Sequence, residues 1–165
     1  MMAIAWLIAE NERPCSRFYH KLAIDKLAVS GQSCGGLMSL AAAGDTRITT
    51  AIIGNSGLFS PDQNIYSALH TPIVYLIGVC SDIAYQNAES DYMNIDKVPI
   101  FNANTNTGHG GTWNAVNGGE FGRVGTGWLN WQLKGDMNAK KMFVGADCEL
   151  CKSPSMWTVK KKMID

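Results

Sequence analysis

The chain has no long hydrophobic run. Its most apolar stretch, Met1 to Ala9, gives way at once to Glu10, Glu12 and Arg13, well short of the roughly 20 residues that span a bilayer. It also lacks a basic n-region, so neither a membrane span nor a signal peptide is expected. A helix over residues 2–12 is expected instead, with Ile4, Leu7 and Ile8 on one core-facing side. Net charge is absent too: 14 Lys plus Arg balance 14 Asp plus Glu in 165 residues. No long-range field recruits nucleic acid or an anionic membrane, and neither is expected as a partner. Repeats, linkers and low-complexity tracts are missing, which leaves a single domain over 1–165 with room for a real core. Cysteines are few and odd in number, at positions 15, 34, 80, 148 and 151. The one C-x-x-C, Cys148 to Cys151, has no second pair and no histidine beside it, which argues against a zinc site. A local Cys148–Cys151 disulfide closing a turn is expected, with two free thiols as the alternative. The disulfide would belong to an oxidising compartment. No metal or organic cofactor is called for.

What the chain does have is glycine, 17 residues of it, and five tryptophans, a composition of turns and large aromatic anchors. The organising stretch is Leu27 to Leu40, LAVSGQSCGGLMSL. It reads as a short buried strand, a tight turn around a serine and a helix of small residues. Gly31-Gln32-Ser33-Cys34-Gly35 fits G-x-S-x-G, in which a serine hydroxyl is lifted clear of a sheet on a strained strand-to-helix turn. A side chain at Gly31 or Gly35 is expected to collide with the neighbouring strand or helix. The plainer reading makes Ser33 only the N-cap of the helix.

Further strands are expected at 48–54 (ITTAIIG), 72–78 (PIVYLIG) and 98–103 (VPIFNA), with helices at 86–95 and 120–133. Residues 61–70 form a polar loop or broken helix, and Lys160 to Lys162 a solvated end. Strands apolar on both faces and alternating with helices define an α/β fold, a parallel sheet with helices on both faces. Such sheets place their sites at the carboxyl ends of the strands.

Three of those ends carry complementary chemistry. The first runs into Ser33, the third into Gly78-Val79-Cys80-Ser81-Asp82, the fourth into Thr107-Gly108-His109-Gly110-Gly111. A serine hydroxyl needs a histidine to take its proton, and the histidine needs a carboxylate to hold its tautomer. Ser33, Asp82 and His109 are therefore the candidate catalytic residues, in the chain order Ser, Asp, His. Asp91 and Asp96 compete with Asp82 for the acid role, while His20 and His70 have no neighbours that would give them work. The Cys34 backbone N–H, just after the serine, is a candidate oxyanion donor. His109-Gly110-Gly111 follows the nucleophile rather than preceding it, which argues against an HGG oxyanion loop. Trp113 and Tyr85 are candidates to line a substrate pocket.

These segments, with GQSCGG at 31–36, HTPIVYLIG before Asp82 and NTGHGGTW at 106–113, resemble the α/β-hydrolase superfamily. The likeness is in particular to microbial esterases related to dienelactone hydrolases and cutinase-like polyesterases. The tail GEFGRVGTGWLNWQLKGD and MFVGADCELC is similar to the closing helix and cysteine turn of secreted relatives. The resemblance implies an incomplete α/β-hydrolase fold, its C-terminal half with about four strands, and a serine hydrolase cleaving carboxylic esters. It implies Ser33 as nucleophile, Asp82 as acid and His109 as base, a second oxyanion donor from a loop upstream, and extracellular full-length relatives. The substrate would be a small or polymeric ester. The strand at 27–30 would be an exposed edge, covered by further strands or by another copy of the chain. The alternative expectation is a truncated, non-catalytic homologue that needs such a partner.

Overall fold

The computed structural model describes residues 2–152 and 156–165; Met1, where the apolar N-terminal stretch begins, lies outside them. Five strands form one sheet in the order β1-β2-β3-β4-β5. They are β1 (Leu27–Gln32), β2 (Ile48–Gly54), β3 (Ile73–Ile77), β4 (Ile100–Asn104) and β5 (Thr158–Lys162). The first four are mutually parallel, and β5 runs antiparallel to β4. The helices are α1 (Met2–Glu12), α2 (Cys34–Ala42), α3 (Gln63–Ala68), α4 (Tyr85–Asn94), α5 (Gly119–Lys134) and α6 (Met137–Lys140).

Side chains alternate strictly across the central strands. Ala51, Ile53, Ile73, Tyr75 and Ile77 pack with Leu40 of α2, Tyr66 of α3 and Ala88 of α4 on one face. Ile52, Val74, Leu76, Phe101 and Ala103 pack with Phe121, Val124 and Trp128 of α5, and with Phe143, on the other. Strands added one after another in one direction, each by a crossover of the same hand, put their crossover helices on a single face. The opposite face is left for α5 and the segment after it. Both faces are thus covered, which is why β3 and β4 are buried at every residue.

The register aligns the carboxyl ends of the parallel strands: Gln32 pairs with Gly54, Gly54 with Leu76, and Leu76 with Ala103. The residues that follow each strand therefore emerge along one rim of the sheet.

Two expectations are corrected. The helix at 2–12 forms, but Ile4, Leu7 and Ile8 do not make a core face. Asn11 is its buried residue, and Met2 and Trp6 are 89% and 54% exposed. Ile4, Leu7 and Ile8 do share one half-buried side, while Met2, Ala3, Ala5, Trp6 and Ala9 are exposed, but that side joins neither core cluster. The C-terminal lysines are not a free solvated end, because they form β5. Lys162 pairs with Ile100, and its Nζ donates to the Tyr92 and Ile95 carbonyls at the end of α4, where a cation meets the helix's free acceptors. Lys160 pairs with Glu89. At the other side of the sheet β1 is an edge strand, its residues alternately half-buried and exposed. Among the described residues no helix is long and apolar enough to cross a membrane.

Candidate active site

Ser33 stands between β1 and α2 with φ 55° and ψ −121°, a strained conformation for a residue with a side chain. The turn is pinned by its neighbours: Ser33 N–H donates to the Gly54 carbonyl, and the Ser56 hydroxyl donates to the Ser33 carbonyl at 2.7 Å. A Cβ on Gly31 would lie 2.2 Å from the Gly35 carbonyl carbon, so no side chain fits there. Gly35 departs from expectation, since a Cβ on it would meet open space. The crowding falls on Gly31 because the start of α2 folds back over that position.

Beyond β3, a short 3-10 turn at Val79–Ser81 turns the chain so that Asp82 points back under the sheet rim. The loop that carries His109 passes so close that a Cβ on Gly78 would sit 2.0 Å from the Gly108 carbonyl oxygen. This contact brings the loops after β3 and β4 together, and Gln32 Nε2 ties the His109 carbonyl back to β1 at 2.9 Å.

His109 bridges the two other residues. Its Nε2 lies 3.0 Å from Ser33 Oγ and its Nδ1 lies 2.7 Å from Asp82 Oδ1. The Asp82 side chain is wholly buried and that of His109 is 30% exposed. Burial pushes the Asp82 pKa up. Donors from Asn55, the Ala84 N–H, His109 and the Gly78 N–H outweigh it, so the carboxyl titrates below its ordinary value. An ionised carboxylate only accepts hydrogen bonds, so Nδ1 carries the imidazole proton and Nε2 is free to accept from the Ser33 hydroxyl. The array can therefore move a proton from Ser33 to His109 while Asp82 holds the ring.

Beside Ser33 lies a cavity of about 240 Å³, lined among others by Cys34, Leu37, Phe59, Ile83, Asn87 and His109. Among the described residues no Lys, Arg, Asp or Glu contributes to its wall. Phe59 and Ile83, at 84% and 81% exposed, carry the apolar wall outward into solvent.

The structure brings Ser33, Asp82 and His109 together and places the Cys34 N–H at the head of α2. It does not bring Trp113 or Tyr85 to the cavity. Tyr85 packs on the core beneath α4. Trp113 meets Phe121 edge-on, with ring centroids 5.1 Å apart, and donates its indole N–H to Asn55 Oδ1 at 2.8 Å. Both aromatics follow site residues closely in sequence, but their own faces are taken by core partners. Asp91 is buried among Tyr66, Tyr75 and the Leu58 N–H, away from His109's partners, and Asp96 is exposed. His20 lies 3.6 Å from Glu12 on the surface, and His70 is exposed beside the Ala68 carbonyl. Cys148 and Cys151 are disulfide-bonded; Cys15, Cys34 and Cys80 are free and exposed. Among the described residues no group of three metal-ligating side chains forms.

Sequence reasoning missed Asn55, Phe59 and Ile83. For Asn55 the available signal was its place at the carboxyl end of β2, on the same rim as the other three. Phe59 and Ile83 gave no signal, because an isolated apolar residue in a loop is ordinary. No protein-family model matches the chain, and no curated protein matches it.

Proposed function

We propose that the protein is a serine hydrolase that cleaves carboxylic esters, and that it resembles the α/β-hydrolase superfamily for that reason. The observation that carries this reading is the two-sided reach of His109, 3.0 Å to Ser33 Oγ and 2.7 Å to Asp82 Oδ1. In the proposed reaction Ser33 Oγ attacks the ester carbonyl as its proton passes to His109 Nε2, and the carbonyl π pair moves onto oxygen. The oxyanion is met by the Cys34 N–H at the start of α2. Collapse breaks the bond to the alcohol oxygen, which leaves with the proton from His109. Water, deprotonated by the same Nε2, then attacks the acyl–Ser33 carbonyl and releases the acid. The apolar, uncharged wall beside Ser33 supports an ester whose group next to the carbonyl is apolar and neutral.

The test is a fluorophosphonate probe on the folded protein, with mass spectrometry of the Ser33 peptide. An adduct on Ser33, absent in Ser33→Ala and slowed in His109→Ala, supports the reading. A folded chain that takes no label overturns it and favours the non-catalytic homologue.

A further inference from the structure

We infer that Asn55 is a positioning residue of the array: its amide, held in one orientation by the Trp113 indole, fixes the Asp82 carboxylate beneath His109 and anchors the histidine loop to the end of β2. Its catalytic consequence rests on the hydrolase reading; its geometric consequence does not.

The orientation of the amide follows from chemistry. An indole N–H only donates, so the Asn55 atom 2.8 Å from Trp113 Nε1 must be the oxygen. The amide nitrogen is thereby turned to Asp82 Oδ2 at 2.7 Å and to the Gly108 carbonyl at 3.2 Å. Both of its protons have acceptors. Asn55 is 0% exposed, and its backbone has φ 43°, a left-handed conformation that asparagine enters more readily than most residues. Its own N–H donates to the Leu76 carbonyl at 2.8 Å.

The place of Asn55 among Asp82's partners is distinctive. Oδ1 accepts from His109 and from the Ala84 N–H at 2.9 Å; Oδ2 accepts from Asn55 and from the Gly78 N–H at 3.1 Å. Ala84 and Gly78 belong to the acid's own loop. Asn55 is therefore the donor that references the carboxylate to a different strand, and removing it leaves Oδ2 with the longer Gly78 bond. The same amide also touches the loop just before His109, through Gly108, and just after it, through Trp113. One side chain thus sets the acid and both flanks of the base.

The experiment compares wild type with Asn55→Gly, Asn55→Asp and Trp113→Phe. Glycine keeps the left-handed backbone and removes the amide; aspartate keeps the shape and replaces the donor with an acceptor. The readout is the downfield proton resonance of His109 Nδ1–H in the bond to Asp82, with kcat and KM on p-nitrophenyl acetate measured beside it. Asn55→Gly is expected to move or broaden that resonance and to lower kcat by about 10- to 100-fold, with KM changed less than about threefold. Trp113→Phe, which frees the amide to turn, is expected to act in the same direction by about 3- to 10-fold. An Asn55→Gly protein that melts cooperatively, keeps the resonance unshifted and holds kcat within about twofold overturns the inference. If Asn55→Gly does not fold, the resonance in Trp113→Phe and Asn55→Asp decides: unshifted in both, the inference fails. If wild type neither labels nor turns over ester, the hydrolase reading fails, while the resonance still judges Asn55.

Discussion

Asp82 and Asp91 flank the first part of α4 and are 3% and 0% exposed, yet their surroundings drive them in opposite directions. Burial raises the pKa at both. At Asp82 four donors outweigh burial, two of them backbone N–H groups, and the carboxyl stays below its ordinary value. At Asp91 burial prevails over the Tyr66 hydroxyl, the Leu58 N–H and the Tyr75 hydroxyl, and the carboxyl is raised. Burial of an acid therefore does not by itself assign it a chemical task. The number of donors, and whether one of them is an imidazole, makes the difference. Asp82 faces the sheet rim and meets His109. Asp91 faces inward and ties α4 to α3, to β3 and to the Leu58 segment that presents Phe59.

The sharpest way to break this comparison is to neutralise each acid. Asp82→Asn is expected to lower kcat by about 10³- to 10⁴-fold, because an amide cannot hold the required tautomer of His109. Asp91→Asn is expected to leave kcat near wild type. Initial rates on p-nitrophenyl acetate, with circular dichroism confirming the fold, check both; equal losses would erase the distinction.

Next in size is stability. Asp91→Ala would leave two tyrosine hydroxyls and the Leu58 N–H buried without their acceptor, at a cost of about 3–5 kcal/mol in urea unfolding. A loss under about 1 kcal/mol would mean that these groups find other partners.

The pH dependence then separates the signs. The folded Asp91 pKa lies above its ordinary 3.8, so in that window the native state keeps a proton that the unfolded chain has released. Stability accordingly declines as pH rises through the window. The folded Asp82 pKa lies below 3.8; its contribution is complete above the ordinary value and is lost as pH falls through the folded one. Urea midpoints between about pH 3 and 7 are expected to lose the falling limb in Asp91→Asn. Curves for wild type and Asp91→Asn that run parallel would contradict the assignment.

The smallest effect is expected at the rim. Phe59→Ala and Ile83→Ala are each expected to lower kcat/KM on octanoate relative to acetate esters by about 3- to 10-fold, with stability within about 0.5 kcal/mol of wild type. A flat chain-length profile in wild type would remove these two residues from substrate contact.

Much of the fold was legible because strands apolar on both faces leave few alternatives. β2 and β3 were found nearly to the residue, and Ser33, Asp82 and His109 all lie at strand ends that the α/β pattern singles out. β5 was not legible: Thr-Val-Lys-Lys-Lys has no apolar alternation, and its strand character comes from pairing with β4 and from acceptors on α4. Asn55 was hidden for a different reason, since its importance is a matter of which atoms face its amide. Trp113 was expected to line the pocket, and its ring packs on Phe121 and Asn55 instead, because a ring's partner depends on packing that spacing does not encode.

The sequence by itself determined the local chemistry: a serine on a tight glycine-flanked turn, followed by an acid and a histidine at later strand ends. Strand position singled out Asp82 among the acids, and tertiary structure decided what surrounds it, bringing His109 to Asp82 and not to Asp91. Asp82 and Asp91 are the same residue on the same stretch of chain, and only the folded register brings four donors, His109 among them, to the one and two tyrosines and the Leu58 N–H to the other. The physical reason is that a carboxylate's charge is set by the sum of burial and donors around it, and those donors arrive from β2, β3 and the loop after β4.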